Sequence, residues 1–354
     1  MKNEKEILIF DLNRLIRENV RAMTPYSSAR DEYVSDGSEK IFMDANENPN
    51  ENGLNRYPDP QQRSLKSALA GIKGIQQDHI LLGNGSDEVL DLLFRAFCEP
   101  SKDNVITVPP TYGMYSVLAS LNNIENRKVL LTPSFTLDVK GVLNSIDANT
   151  KMIFLCSPNN PTGNCIPKDQ IKEILDHFHG LVVIDEAYID FTTKGSWLGE
   201  LANYKNLVVT QTFSKAYGMA AVRLGSCFAS SEIINILNKI KPPYNVNELT
   251  QIKAKERLLM KNEVEHEVAI IIEERKKLER ALRTIPFVQE VYPSEANFLL
   301  TVVDDAGKRY RQLLDRGIIV RNRSGQPLCK NTLRFTVGTP AENESLIKLL
   351  KEVI

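Results

Sequence analysis

Short, unbroken apolar runs separated by amphipathic stretches dominate the middle of the chain. KMIFLC (151–156), LVVID (181–185) and NLVVTQT (206–212) are such runs, the last two rich in β-branched side chains. Runs this short suit strands buried on both faces of a largely parallel sheet. Between them KDQIKEILDHFH reads as a helix, and SDEVLDLLFRAFCE places Val89, Leu90, Leu93 and Phe97 at helical spacing. The alternation predicts an α/β layered domain. Two prolines in KPPYNVN (241–247) interrupt the pattern. Beyond them the spacing predicts one charged helix over roughly 248–283, then strands at FLLTVV, GIIVRNR and TLRFTVG and helices at 306–316 and 341–353. Residues 1 to about 50 are polar, with turn formers in SDGSEK and NENPNENG, and read as an arm plus a short strand. The expected division is an arm with part of a small domain (1–50), a large domain (51–247) and a small α+β domain (248–354).

Composition narrows the class without changing this picture. The chain has 354 residues, enough for one large and one smaller domain. With 44 basic against 45 acidic residues, no long-range field points to nucleic acid or an anionic membrane. An anionic ligand must therefore be held by a local cluster. The five cysteines form no CxxC pair and the four histidines show no metal spacing, so no disulfide framework and no metal site is expected. MKNEKEILIFDLNRL is neither a secretory leader nor a membrane span, and the default compartment is the cytoplasm.

Candidate chemistry sits at the ends of the apolar runs. In TFSKAYGMAAVRLG (212–225), Lys215 follows a strand among hydroxyls, with Arg223 close behind. Alone, Lys215 reads first as a solvated loop lysine, and what shifts that reading is the company it keeps. A lysine that forms a Schiff base needs a depressed pKa, which a nearby arginine helps to provide. Thr212, Ser214 and Arg223 together supply donors for a phosphate. Asp185 ends a buried strand, where a carboxylate needs a cationic partner, although a helix-capping aspartate fits the same position. Tyr188 lies three residues on and reads either as a hydrogen-bond donor or as packing. SPNNPTG (157–163) is a rigid turn that fixes Asn160. GNGSDEVLDL (83–92) opens an amphipathic helix whose first N–H groups, at Ser86 and Asp87, suit a phosphate or an ordinary cap. Glu88 replaces the third glycine of a dinucleotide fingerprint, which weakens a nucleotide reading. Tyr112, after two prolines, can stack on a flat ligand or pack. In TLRFTVG the period of two sets Leu333, Phe335 and Val337 on one face and Arg334 on the other, as a surface arginine or an anion clamp.

GNGSDE, PPTYGMY, SPNNPTG, VIDEAY, TFSKAYGMAAVRLG and LRFTVGT stand in the order and spacing of the fold-type I pyridoxal phosphate (PLP) aminotransferases, and the chain resembles that family over nearly its whole length. The resemblance implies a large domain with a mostly parallel sheet sandwiched by helices, plus a smaller α+β domain. It implies that Lys215 carries pyridoxal 5′-phosphate as a Schiff base and moves the substrate proton. Asp185 would partner the pyridine nitrogen, Asn160 and Tyr188 the phenolic oxygen, and Tyr112 the ring face. Ser86, Asp87, Thr212, Ser214 and Arg223 would hold the phosphate, with Tyr57 reaching in from a neighbouring subunit of a homodimer that shares its active sites. Arg334, with Tyr26, Tyr57 and Asn160, would bind substrate; Arg321 and Arg323 stand nearby as further phosphate ligands with no orientation assigned. NVRAMTPYSSARDE, MDANENP, NRYPDPQQRSLKSALA and EANF resemble the branch that exchanges an amino group between L-histidinol phosphate and 2-oxoglutarate, with imidazole acetol phosphate and glutamate as counterparts, in histidine biosynthesis. An aromatic amino-acid aminotransferase or a threonine-phosphate decarboxylase would keep every cofactor contact. A non-catalytic binding protein on the same fold is the reading from a different class.

Overall fold

The structure is a computed structural model and describes residues 10–26, 30 and 40–353. Among the described residues eleven strands form two sheets. The first contains β1 (Ile80–Asn84), β2 (Asn104–Thr107), β3 (Glu125–Lys128), β4 (Thr150–Cys156), β5 (Leu181–Asp185), β6 (Leu207–Thr212) and β7 (Leu224–Phe228), in the order β1-β7-β6-β5-β4-β2-β3. Only β7 runs antiparallel to its neighbours. The α/β reading therefore holds, and the three central apolar runs are its buried strands.

Period-two alternation divides the core between the two faces of this sheet. On β4 and β5, Met152, Phe154, Cys156, Leu181 and Val183 face one apolar cluster, while Ile153, Leu155, Val182 and Ile184 face the other. Asp185 continues the phase of Leu181 and Val183. Its carboxylate thus emerges at the edge of the cluster that also contains Tyr115. The helix Gly85–Phe97 buries Val89, Leu90, Leu93 and Phe97 there, as their spacing predicts.

The second sheet is antiparallel: β8 (Val288–Val291), β9 (Phe298–Val303), β10 (Arg321–Asn322) and β11 (Thr332–Thr336), ordered β10-β11-β9-β8. Leu333, Phe335 and Val337 enter its core with the helices Ala306–Leu314 and Pro340–Glu352.

Three expectations need correction. The charged helix over 248–283 is two helices, Glu248–Leu259 and Lys261–Leu282, meeting at Met260 (φ −91°, ψ 35°). Arg257 turns back at that break, pairing with Glu263 and Glu267 and donating to the Tyr217 carbonyl at 3.0 Å. GIIVRNR pairs as a strand only at Arg321–Asn322; Ile318 and Val320 pack on the core without joining the ladder. Among the described residues the arm forms no strand: Leu12–Leu15 and Glu18–Ala22 are helical turns, and Leu15, Ile16 and Val20 are buried against the large sheet's helices. Most of SDGSEK and part of NVRAMTPYSSARDE lie outside the described residues.

Candidate active site

The C-terminal ends of β2, β4, β5 and β6 point the same way, where open α/β sheets place their ligands. A cavity of about 410 Å³ opens there, and its lining includes Ser86, Asp87, Tyr112, Asn160, Asp185, Tyr188, Thr212, Ser214, Lys215, Arg223 and Arg334. Eleven of the thirteen candidates thus converge from segments up to 248 residues apart in sequence. Tyr26 and Tyr57 do not line this cavity. Tyr26 is exposed, and Tyr57 stacks on Tyr244 with centroids 4.5 Å apart at a separate surface depression.

Lys215 and Arg223 come from one connection. β6 and β7 are antiparallel, and the chain between them is pinned by Phe213 N–H to the Leu224 carbonyl (3.0 Å) and Gly218 N–H to the Lys215 carbonyl (3.1 Å). Arg223 sits in the left-handed region (φ 57°, ψ 61°), and its guanidinium lies across the start of the helix Gly85–Phe97. Two glycines permit this approach. A Cβ on Gly85, itself at φ +76°, would meet Arg223 at 2.6 Å, and a Cβ on Gly225 would meet the Ser86 nitrogen at 2.2 Å. Ser86 and Asp87 at that helix start therefore line the cavity together with the Arg223 side chain and Ser214, an arrangement suited to an anion.

The Asn160 turn is held from beneath by Asn159, which is buried. Its amide donates to the Pro110 carbonyl (2.9 Å) and the Thr162 hydroxyl (2.7 Å), and its oxygen accepts from Thr111 (2.8 Å). Asn160 is left to face the cavity, where Arg334 Nη1 donates to its oxygen at 2.5 Å and Arg323 Nη2 at 3.5 Å. Sequence reading left Arg321 and Arg323 unassigned; both line the cavity, with Arg321 opposite Arg334 across the β10–β11 pair.

Five basic side chains (Lys215, Arg223, Arg321, Arg323, Arg334) face only two carboxylates, Asp87 and Asp185, in this lining. Burial pushes Lys215 below the usual lysine range, and the Arg334 and Arg223 guanidinium groups push it further. Burial and then Arg334 and Arg321 push Arg323 down to about 10, which still leaves it charged at neutral pH. Burial raises Asp185, against the donors Tyr115 hydroxyl (2.7 Å) and Ala187 N–H (3.1 Å). Among the described residues the Nε atoms of Arg323 and Arg334 are buried without a hydrogen-bond partner. A buried carboxylate with only neutral donors, unpaired guanidinium N–H groups and a helix start beside Arg223 fit a flat, cationic-ringed cofactor bearing a phosphate. Among the described residues no cluster of His, Cys, Asp or Glu could hold a metal ion, and no helix is long and apolar enough to cross a membrane.

Sequence reading missed two features. Tyr115, inside the quoted PPTYGMY, is fully buried and touches Asp185. Asn245 donates to Glu88 (2.8 Å) and to the Leu82 carbonyl (3.1 Å), while its oxygen accepts from Lys241 (3.1 Å). The proline break at 241–247 thus braces the loop that opens the helix.

Residues 32–350 match the family described as aminotransferase class I and II, and the chain belongs to that family of pyridoxal phosphate-dependent enzymes. It is 61% identical over 343 residues to the histidinol-phosphate aminotransferase of Flavobacterium johnsoniae, covering 97% of this chain and 98% of that protein. The structure of the histidinol-phosphate aminotransferase from Clostridium acetobutylicum superposes with a TM-score of 0.79 at 26% identity, over 85% of this chain and 91% of that one. The Sinorhizobium meliloti enzyme of the same name, solved in complex with pyridoxal-5′-phosphate, shares the fold with a TM-score of 0.77 at 23% identity, over 84% of this chain and 82% of that one. The family and fold that the motifs implied are borne out.

Proposed function

We propose that the protein transfers an amino group between L-histidinol phosphate and 2-oxoglutarate, as an enzyme of histidine biosynthesis using pyridoxal 5′-phosphate. The observation that carries this reading is the guanidinium cluster of Arg321, Arg323 and Arg334 at the lysine cavity, with its unpaired N–H groups. Such a cluster can receive a phosphate monoester in one half-reaction and a carboxylate in the other. The identity to the Flavobacterium enzyme supports it.

Lys215 would anchor the cofactor, Asp185 its ring nitrogen, Asn160 and Tyr188 its phenolic oxygen, and Tyr112 its ring face. Ser86 and Asp87 amides, Thr212, Ser214 and Arg223 would hold its phosphate. The bound cofactor supplies an electron sink for the pair left at the substrate's α-carbon. Lys215 Nζ would take the substrate's α-carbon proton; the depressed pKa favours its neutral, accepting form. Arg334 holds the substrate anion, so that the α-hydrogen is presented to Nζ. Asp185 would stay ionised beside a ring cation, because that charge would offset the burial that otherwise raises it.

A homodimer with shared sites belongs to the same proposal. Leu54, Tyr57 and Leu249 are exposed and line one depression, so Tyr57 is available to a second copy and not to its own cavity. Free cysteines fit the cytoplasm. Steady-state rates with L-histidinol phosphate, L-phenylalanine and L-threonine O-3-phosphate on one preparation test the substrate assignment. Turnover of histidinol phosphate with 2-oxoglutarate is expected to dominate. Preference for phenylalanine, or CO2 release from the threonine phosphate, would refute it.

A further inference from the structure

Tyr115 has no counterpart among the residues assigned above. It sits in the helix Met114–Leu121 with no exposed surface, and its hydroxyl donates to Asp185 Oδ2 at 2.7 Å. Two aromatic rings pack against it at the end of the sheet. It stacks on Phe154 (centroids 5.1 Å, planes 20° apart), which stacks on Phe94 at 5.2 Å, and Tyr112 abuts it edge-on at 5.6 Å. Held this way, the phenol has the Asp185 carboxylate as its hydrogen-bond acceptor, with the Cys156 thiol beside it. A phenol in an apolar core must donate to something, and the acceptor here is the one carboxylate the mechanism needs ionised.

Geometry defines what the contact does. Asp185 Oδ1 already accepts the Ala187 N–H, and Tyr115 occupies one site on Oδ2. An ionised carboxylate has about four acceptor sites, so each oxygen keeps one for an incoming ring N–H. With both oxygens tethered, the carboxylate cannot rotate about its terminal bond, which is otherwise soft. We propose that Tyr115 is a positioning residue that keeps the Asp185 carboxylate ionised and in one orientation toward the cofactor ring. This rests on the reading that the cavity takes pyridoxal phosphate.

Other groups around the carboxylate do not substitute for it. Asp87 opposes ionisation of Asp185, Lys215 favours it through charge alone, and the Cys156 thiol lies beside both Tyr115 and Asp185 but is itself raised by burial. Tyr112 donates elsewhere, to Asp87 at 3.0 Å. Tyr115 is thus the side-chain donor to Asp185 among the described residues.

The test uses the full-length chain as wild type, as Tyr115→Phe and as Phe154→Leu, which disturbs the same stack but keeps the hydroxyl. Infrared spectra of cofactor-free protein labelled with ¹³C-aspartate, with Asp185→Asn as the subtraction reference, give the protonation midpoint of Asp185. Titration with pyridoxal phosphate gives cofactor affinity. Loss of a hydrogen bond to a charged group should raise the Asp185 midpoint by about one pH unit in Tyr115→Phe and weaken cofactor binding about tenfold or more. Phe154→Leu should leave the midpoint in place. Fluorotyrosine incorporated at Tyr115, a stronger donor, should lower it, which covers a Tyr115→Phe chain that fails to fold. An unchanged midpoint in both hydroxyl variants, or an equal rise in Phe154→Leu, overturns the proposal while the functional reading stands. A wild-type chain that takes up no pyridoxal phosphate overturns the reading and the proposal together.

Discussion

Replacing Arg334 with glutamine tests the anion clamp directly. Arg334 leaves β11 on the face opposite Leu333 and Phe335, lies 5.0 Å from the Phe298 ring centroid, and donates to Asn160 at 2.5 Å. Its Nε is buried and unpaired among the described residues, so an incoming anion gains a donor that the protein leaves unused. Each hydrogen bond to a charged group contributes about 1.5–3 kcal/mol net. Losing a two-pronged contact, with Arg323 close by to compensate in part, should cost about 3–4 kcal/mol. That corresponds to a fall of roughly two to three orders of magnitude in kcat/KM. Because the same guanidinium would receive both anions, the half-reactions with glutamate and with histidinol phosphate should fall alike. The variant should also move Lys215's titration upward, since Arg334 is one of the cations that depress it. The pH at which proton abstraction turns on should therefore rise. Single-turnover rates with each donor, followed through the cofactor's visible absorption across pH, measure all three effects. Retention of either half-reaction within about tenfold, or an unmoved pH dependence, would refute this account.

Lys66 is buried at 7% exposure, and burial with Lys241 beside it lowers its pKa from 10.5 to about 8. The unfolded chain therefore binds more protons between about pH 8 and 10.5, and this group's contribution to stability rises with pH across that window. Lys66→Met should stabilise the protein by about 3 kcal/mol at pH 7 and flatten the rise, read from urea midpoints at pH 7 and pH 10; equal midpoints for the two chains at pH 7 would contradict it. Gly225→Ala drives a methyl to 2.2 Å from the Ser86 nitrogen, and because the obstacle is backbone, loss of cofactor retention is expected even where the chain still folds. Unaltered retention in a desalted preparation would show that the helix start shifts without consequence. Mixing inactive Lys215→Ala with Tyr57→Ala under subunit exchange should regenerate activity, since a hybrid dimer has one site with both residues intact; no recovery counts against shared sites.

How far the molecule can be read from its sequence depends on the range of the forces involved. β4, β5 and β6 were legible because a strand buried on both faces must be apolar at every position, a local property. Lys215, Asp185 and Asn160 were legible because each ends such a run, and strand polarity alone sends those ends to one edge. The break at Met260 was not, because LLMKNEVE contains no glycine or proline and the apolar stripe continues through it. What turns the chain there is Arg257, bound to the carbonyl of Tyr217 forty residues away. GIIVRNR misled for the related reason that alternation reports which face meets a core, and Ile318 and Val320 meet one without a strand partner.

Tyr115 marks the same boundary inside the site. Within PPTYGMY, Tyr112 and Tyr115 are equivalent as letters, and either can stack on a cofactor. Their roles separate only in three dimensions: helical spacing turns Tyr115 inward onto Phe154, where the phase of β5 has already delivered Asp185. Tyr112 is left at the cavity wall with its hydroxyl on Asp87. Most of the residues that would touch the cofactor are thus readable from local pattern, because they sit at or just past the ends of elements along one edge of the sheet. The residue that aims one of them is hidden, because it works from within the core, where a tyrosine in an apolar helix looks like packing until its acceptor is known.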